Sequence, residues 1–252
     1  MKRVKFQGFI LPLIILIIWW AISYWKIISP NVLPAPGKVI DTFILLFGSG
    51  DLTFNIKMSF LRIIKGFFLG ITVGFILGIL MGISRTTEKL VGPLFHAIRQ
   101  VPLLGWIPLI IIWGGMGEVS KVVFIAFGGF YPVVLNTFEG IRGVSKQYVE
   151  VAKVFEYGKV NLLRKVILPA ALPSIFTGIR SGLSISWMLV VGAEIFTVTA
   201  GGIGAMMWEA REHFRMDIVI VGVIIIGIIG LIMNQLVGLL EARFLRWRMA
   251  FH

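Results

Sequence analysis

The stretch at residues 140–173, GIRGVSKQYVEVAKVFEYGKVNLLRKVILPAALP, is the one long polar interval in an otherwise apolar chain. Within it, apolar residues recur at helical spacing and charged residues occupy the opposite side, so the pattern predicts a short amphipathic helix with Ser145 as its N-cap. A helix of this length is not stable alone, and we interpret the interval as a docking surface beside a membrane. The predicted apolar face consists of Tyr148, Val151, Ala152 and Phe155, and the polar face of Lys146, Glu150 and Lys153.

The second half of this interval is expected to turn back toward the next apolar run. Gly158 offers a turn, and an apolar and basic helical segment follows over residues 159–167. Because a proline disfavours the helical conformation of the residue before it, the chain is expected to leave the helical path at Leu168-Pro169. Pro173 then suits the first turn of a new helix. The prediction is therefore two short helices joined by a bend.

Composition independently indicates a membrane protein. Of the 252 residues, 58% are hydrophobic and only 14% are charged, and the mean hydropathy is +0.94. A water-soluble domain of this size could not bury so much apolar surface. The net charge of +12 would suggest a nucleic-acid partner for a soluble chain. Here the basic residues cluster at the ends of apolar runs, where lipid headgroups lie, so the expected partner is the lipid bilayer and no nucleic acid.

Six apolar runs are long enough to cross about 30 Å of hydrocarbon. They predict an all-α, polytopic membrane protein that forms a single transmembrane domain over residues 1–252, with the polar interval at about 140–170. A signal peptide is the alternative for the first run, but the run is too long and Ser29-Pro30 is a poor cleavage site. Residues 39–47 are expected to form a short surface helix. The predicted spans are about 6–27, 59–83, 94–114, 119–138, 172–194 and 217–240.

Lysine and arginine are unevenly distributed between the two sides that these spans define. Fourteen lie on the side of the polar interval and both termini, eight lie on the other side, and Arg99 and Arg180 lie within spans. Cytoplasmic segments of membrane proteins carry the excess of basic residues. Both termini and the polar interval are therefore predicted to be cytoplasmic.

Glycines and prolines indicate where the helices pack and bend. Glycines recur at every fourth residue of the second span, which favours close packing against another helix, and a substrate path along this face is the alternative. Prolines in the third and fourth spans are expected to kink or break those helices. The glycines are Gly66, Gly70, Gly74, Gly78 and Gly82, and the prolines are Pro102, Pro108 and Pro132.

Polar residues within the spans suggest a path for a small anion. Arg180 in the fifth span has hydroxyl residues and glycines beside it, and a cation with small neighbours suits the passage of an anion. Snorkelling of Arg180 to the membrane surface is the alternative. For His96, Arg99 and Gln100, at the inner end of the third span, interfacial anchoring and substrate contact are both open. The candidate path residues are Gln100, Arg180, Ser181 and Ser184.

Several short motifs, taken in order, resemble the membrane subunits of binding-protein-dependent ABC importers. That family carries Glu-Ala-Ala, then a glycine, then Ile-x-Leu-Pro in a cytoplasmic loop. The corresponding residues here are Glu150-Val151-Ala152 and Val166-Ile167-Leu168-Pro169, with Glu156 at the family's glycine position. The other matching motifs are Leu33-Pro34-Ala35-Pro36, Arg99-Gln100-Val101-Pro102, Gly115-Met116-Gly117-Glu118 and Gly201-Gly202-Ile203-Gly204. Together they are most similar to the branch that imports aliphatic sulfonates, taurine or nitrate.

The resemblance implies a type I ABC importer permease fold with six transmembrane helices, in the cytoplasmic membrane of a prokaryote. It implies a second copy of the chain, two cytoplasmic ABC ATPase subunits that bind ATP-Mg, and an extracytoplasmic substrate-binding protein. This chain itself is expected to bind no cofactor. The residues implied to couple to the ATPase are Tyr148, Glu150, Val151, Ala152, Phe155, Gly158, Leu168 and Pro169.

Missing motifs limit the alternatives. The sequence contains no GxxxxGK[ST], HExxH or GxSxG motif, so a transport subunit without an enzyme site is expected. A gradient-driven secondary transporter is the alternative from another class, but it predicts intramembrane carboxylates or histidines, and the predicted spans contain almost none. Among importers, a permease for a vitamin precursor or an amino-acid-like solute is the alternative to one for sulfonates, taurine or nitrate.

Overall fold

The computed structural model describes residues 7–196 and 201–244, with side chains from residue 10 onward. Every regular element in these ranges is helical, which confirms the predicted all-α class. The basic residues at the two ends of the sequence lie outside the described ranges; they are Lys2, Arg3, Lys5, Arg246 and Arg248. The α-helices in the described ranges are α1 (Gln7–Tyr24), α2 (Pro36–Ser49), α3 (Asp51–Ile83), α4 (Arg85–Arg99), α5 (Ile107–Gly114), α6 (Glu118–Arg142), α7 (Lys146–Val154), α8 (Lys159–Leu162), α9 (Leu168–Phe196), α10 (Ile203–Glu212) and α11 (Met216–Phe244).

Four helical stretches in the described residues are long and apolar enough to cross a membrane: α3, α6, the stretch Lys159–Phe196, and α11. The pair α4 and α5 adds a fifth if the bent pair is one span, and the apolar segment Ile10–Tyr24 of α1 is shorter. A multi-pass membrane protein is therefore confirmed. The count of six spans and the positions of the termini stay predictions.

The predicted third span is broken at its proline. α4 ends at Arg99, a 3₁₀ turn follows over Leu103–Trp106, and the two helical parts meet at 98°. Pro102 lies in the break with an extended backbone (φ −53°, ψ 134°), as expected for a residue that has no N–H to donate to a helix. The predicted break at Pro102 is confirmed. Pro132, in contrast, lies inside α6 without interrupting it.

The prediction that the chain leaves the helical path at Leu168-Pro169 was wrong. Leu168 is helical (φ −62°, ψ −46°), and the path from α8 to α9 is continuous through a π-helical turn over Leu163–Ile167. The Leu168 N–H donates to the Leu163 carbonyl, five residues back. A π turn of this kind changes the hydrogen-bond register locally, so the missing N–H of Pro169 does not end the helix. Pro173 consequently lies inside α9 and does not begin a helix.

Residues 7–58 together with residues 201–227 form one compact unit. It contains α2, which confirms the predicted short helix at 39–47, and α10, which begins at Ile203 within the Gly201–Gly204 motif. Inside the unit, the Thr42 hydroxyl donates to Asp217 Oδ2 at 2.8 Å. The buried apolar residues of this unit are Val39, Leu46, Leu52 and Val221.

The remaining described residues form a second unit, in which α6 packs closely against both α3 and α9. A methyl group added at Gly70 of α3 would lie 2.2 Å from the carbonyl oxygen of Ala126 in α6. On the other side of α6, the Ser186 hydroxyl of α9 donates to the Ile125 carbonyl at 3.0 Å. The close packing predicted for the glycines of α3 is therefore confirmed. All five of them face α6: Gly66, Gly70, Gly74, Gly78 and Gly82.

Candidate functional site

The short helix predicted in the polar interval is α7. It begins directly after Ser145, whose hydroxyl accepts a hydrogen bond from the Gln147 N–H at 3.3 Å. Hydroxyl side chains at this position stabilise a helix because they satisfy a backbone N–H that has no partner within the helix. The predicted start of α7 is confirmed.

The exposed side of α7 carries large apolar side chains. Tyr148 is 60% exposed, Val151 56%, Val154 81% and Phe155 71%; we call these four residues the docking patch. Ala152 differs, because it is 4% exposed and packs against the protein itself. The predicted apolar face thus grouped Ala152 with the wrong side of the helix and omitted Val154. The omission could have been avoided, since Val154 follows Val151 at the same three-residue spacing.

The end of α7 has a defined geometry despite the lack of glycine. Glu156 adopts the left-handed conformation (φ +56°), its N–H donates to the Lys153 carbonyl, and the Tyr157 N–H donates to the Ala152 carbonyl at 3.1 Å. This pair of bonds is a Schellman motif, which ends many helices and usually places glycine at the left-handed residue. Glu156 therefore makes the sharp turn itself, at the position where the resembling family has its glycine.

The other predicted coupling residues lie on either side of this turn. Glu150 is exposed on α7, and Gly158 precedes α8 with an extended backbone. Leu168 and Pro169 are half-buried in the continuous helical path into α9. Val160 on α8 is also an exposed apolar residue, at 76%, and it was not among the coupling residues predicted from the sequence.

The predicted path residues lie on two elements. Ser181 and Ser184 share an exposed stripe of α9 with Arg180, and the Ser184 hydroxyl donates to the Arg180 carbonyl at 3.1 Å. Arg180 Nε donates to Asn234 Oδ1 at 2.8 Å, and its Nη1 lies 3.7 Å from Glu241 Oε2. Gln100 is exposed at the end of α4. The structure therefore brings three of the four residues together and pairs the arginine with α11.

Sequence reasoning missed a charge cluster that joins α3, α6 and α9, in which Arg62, Lys121 and Glu194 are buried and Glu118 is half-exposed. Arg62 makes two hydrogen bonds to Glu118, at 2.6 and 2.9 Å, and its Nη1 lies 2.9 Å from Glu194 Oε1. Ser59 also donates to Glu194 Oε1, at 2.7 Å, and Lys121 Nζ lies 3.4 Å from Glu118 Oε1. All four charged residues lie near the non-cytoplasmic ends of predicted spans, at about residues 59, 119 and 194, so charges of opposite sign at one end of the spans were the available signal. Burial of such ions requires pairing, and this cluster supplies it.

No group of three or more histidine, aspartate or glutamate side chains within residues 7–196 and 201–244 is arranged to hold a metal ion. The buried carboxylates Glu194 and Asp217 each lie beside an arginine, Arg62 and Arg215 respectively. Their surroundings are those of structural ion pairs.

Comparison with known proteins gives consistent relatives. A family model described as a binding-protein-dependent transport system inner membrane component matches residues 70–246. A Bacillus subtilis protein named for aliphatic sulfonates transport, the permease SsuC, is 41% identical over 245 residues, which cover 97% of this chain and 88% of the relative. The taurine transport system permease protein TauC of Escherichia coli is 32% identical over 239 residues, 93% of this chain and 86% of the relative.

A third relative and a solved structure agree. The bicarbonate transport system permease protein CmpB of Synechococcus elongatus is 32% identical over 188 residues, 75% of this chain and 68% of the relative. An inward-facing structure of the MetNI methionine ABC transporter aligns with a TM-score of 0.58 at 17% identity, covering 74% of this chain and 95% of that chain. This last likeness concerns the fold alone. With the family model spanning most of the sequence, the chain belongs to the binding-protein-dependent transport system inner membrane components, the permease subunits of ABC importers, and is a transport subunit without an ATPase site of its own.

Proposed function

We propose that this chain is the membrane subunit of an ATP-driven importer for a small oxyanion, in the cytoplasmic membrane of a prokaryote. Two copies of the chain enclose the translocation path. Two cytoplasmic ABC ATPase subunits, which hold ATP-Mg, each receive one docking patch, and an extracytoplasmic binding protein delivers the solute. Both termini and α7 lie on the cytoplasmic side.

The docking patch is the observation that carries this proposal. Four large apolar side chains are exposed on a nine-residue helix and its C-cap residue Phe155, and the helix is too short to cross a membrane. Tyr148, Val151 and Phe155 have the i, i+3, i+7 spacing with which a helix anchors in the groove of a partner. Exposed apolar clusters rimmed by polar residues are typical of interaction surfaces, and the exposed Glu150 supplies a polar contact at the edge.

The local structure suits the transmission of movement. α7 is fixed at both ends, by the Ser145 cap and the Schellman motif, and buried Ala152 holds it against the protein. The helical path from Lys159 continues without interruption into the long span that ends at Phe196. When ATP closes the two ATPase subunits, the docked helices move together and the spans switch between inward- and outward-facing states. Hydrolysis resets them.

The names of the relatives support a small oxyanion as the solute. They concern aliphatic sulfonates, taurine and bicarbonate, and each of these compounds bears a compact anionic oxygen group. The exposed stripe of Arg180, Ser181 and Ser184 on α9 offers one cation and two hydroxyls along a helix face, which suits the passage of such a group.

The test of coupling uses the chain purified from its native membrane, together with the ATPase that accompanies it. We expect Val151→Ser combined with Phe155→Ser to abolish co-purification of the ATPase and ATP-driven uptake, while the thermal stability of the permease stays unchanged because both side chains are exposed. Glu150→Lys is expected to weaken the association as well.

Lys153→Ala is the matched control, since Lys153 is exposed on the other side of α7. It is expected to leave ATPase association intact. Full ATPase association in the Val151/Phe155 double variant would refute the docking role of the patch. Uptake of solutes by the purified chain alone, without ATP, would instead establish a gradient-driven transporter.

A further inference from the structure

A cavity of about 290 Å³ lies in the second unit, where the break after α4 faces α6 and α9. Several of its lining residues are half-buried, so the cavity reaches the molecular surface. Its volume lies just below the range for small-molecule sites, which is about 300–1,000 Å³, and this selects for a compact ligand. The lining residues are Arg99, Leu103, Phe127, Gly128, Tyr131, Pro132, Leu135, Asn136 and Ile185.

Arg99 is the one charged residue among those that line the cavity. No described residue forms an ion pair or a side-chain hydrogen bond with its guanidinium group, in contrast to Arg62, Arg142, Arg180 and Arg215, which all have carboxylate partners. Since no carboxylate lines the cavity, its electrostatic character is positive. A half-buried guanidinium with unused donors favours an anionic ligand.

Two neutral polar side chains complete the lining. One N–H of the Asn136 amide donates to the Pro132 carbonyl at 2.8 Å, which fixes the side chain and leaves its second N–H available. Tyr131 packs its ring against Phe127 and Phe130, which holds the residue in place at the cavity wall. The other lining residues are apolar, so the side-chain hydrogen-bond donors at the cavity are those of Arg99, Tyr131 and Asn136.

We propose that this cavity binds a small monovalent oxyanion, with Arg99 as the charged donor and Asn136 and Tyr131 as neutral donors. The planar guanidinium group matches two oxygens of a sulfonate, nitrate or bicarbonate ion in a forked pair of hydrogen bonds. The proposal rests on the proposed function, because the bound anion is the transported solute on its way through the permease. The sequence left a substrate contact open for His96, Arg99 and Gln100 and named Gln100 among the path residues, whereas Arg99 is the one of the three that lines the cavity.

The test measures binding of ethanesulfonate by calorimetry to the permease complex in a non-ionic detergent. We expect saturable binding by the unmodified protein and about 10- to 100-fold weaker binding by Arg99→Gln. Arg99→Lys is expected to bind with intermediate affinity, because lysine keeps the positive charge but cannot make the forked pair of hydrogen bonds. Lys89→Gln is the matched control: it removes the same charge from an exposed position of the same helix and is expected to leave the affinity unchanged. Nitrate should compete with ethanesulfonate, and neutral glycerol should not.

The proposal would be overturned if Arg99→Gln and the unmodified protein bound ethanesulfonate with equal affinity, provided that thermal unfolding curves show both proteins to be folded. So would the absence of saturable binding by the unmodified protein. Phospholipid that co-purifies, is released by Arg99→Gln and is not displaced by ethanesulfonate would identify a lipid phosphate as the occupant and also overturn it.

ATP-driven uptake of ethanesulfonate in vesicles, with the binding protein present, separates the two proposals. Uptake by the unmodified protein together with unchanged binding by Arg99→Gln would refute the anion site in the cavity and support the importer function. Arg99-dependent binding without ATPase association or ATP-driven uptake would support the anion site in the cavity and refute the importer function.

Discussion

Replacement of Gly70 by alanine tests the packing of α3 on α6. The added methyl group would lie 2.2 Å from the Ala126 carbonyl oxygen, and ordinary contact begins at 3.4 Å. The oxygen belongs to the backbone of α6, so it cannot rotate away as a side chain would. The two helices must therefore separate by about 1 Å, and a gap of 0.5–1 Å already loses a quarter to a half of the dispersion energy of the contacts along it.

We expect Gly70→Ala to destabilise the protein by about 1–3 kcal/mol, the usual range for an overpacked interface. Near the unfolding midpoint of a protein of 150–250 residues, each kcal/mol shifts the midpoint by about 2–4 °C. The assay is thermal unfolding of the purified protein in detergent, followed by size-exclusion chromatography after heating.

Gly238→Ala is the matched control, because a methyl group at Gly238 of α11 would meet no atom within 4 Å. There alanine is expected to be neutral or to stabilise the helix by up to about 1 kcal/mol, the difference in helix propensity. The reasoning about close packing is refuted if Gly70→Ala unfolds at the same temperature as Gly238→Ala.

Three further substitutions test local features of the structure. Glu156→Gly is expected to stabilise the loop modestly. It relieves the strain of a left-handed non-glycine residue, about 1–2 kcal/mol, while the extra backbone entropy that glycine loses on folding costs about 0.5–1 kcal/mol. A lower unfolding temperature of the variant would contradict the positive φ. Glu194→Gln leaves Arg62 buried without one of its carboxylates and should lower the free energy of unfolding by about 3–5 kcal/mol. In a double-mutant cycle with Arg62→Gln, losses of unfolding free energy that add without an interaction energy would show that the pair is not coupled. Glu88→Gln removes the half-exposed ion pair with Arg142 and should cost at most about 1 kcal/mol, an effect that should shrink in high salt.

Local sequence patterns were sufficient for several elements. Ser145 and the apolar spacing after it predicted α7, and Pro102 predicted the break in the third span, because caps and prolines act on the backbone within a few residues. The glycine series of α3 predicted a close helix contact for a similar reason, since it leaves one helix face without side chains.

The remaining features depend on groups distant in the sequence. Nothing adjacent to Ala152 indicates that it is buried, since its burial depends on which side of α7 meets the rest of the chain. The π turn that carries the helix through Pro169 is an adjustment of hydrogen-bond register that proline rules alone do not anticipate.

The sequence by itself therefore determined a multi-pass helical membrane protein of the ABC importer permease family, with the short helix α7, because apolar runs, caps and ordered motifs are properties of contiguous residues. Only the tertiary structure decided which charges pair and which remain available. Arg62 contacts carboxylates 56 and 132 residues away, whereas Arg99 lines a cavity without one. Pairing of this kind is a matter of distance in space, and the helix packing that fixes those distances is absent from any local pattern.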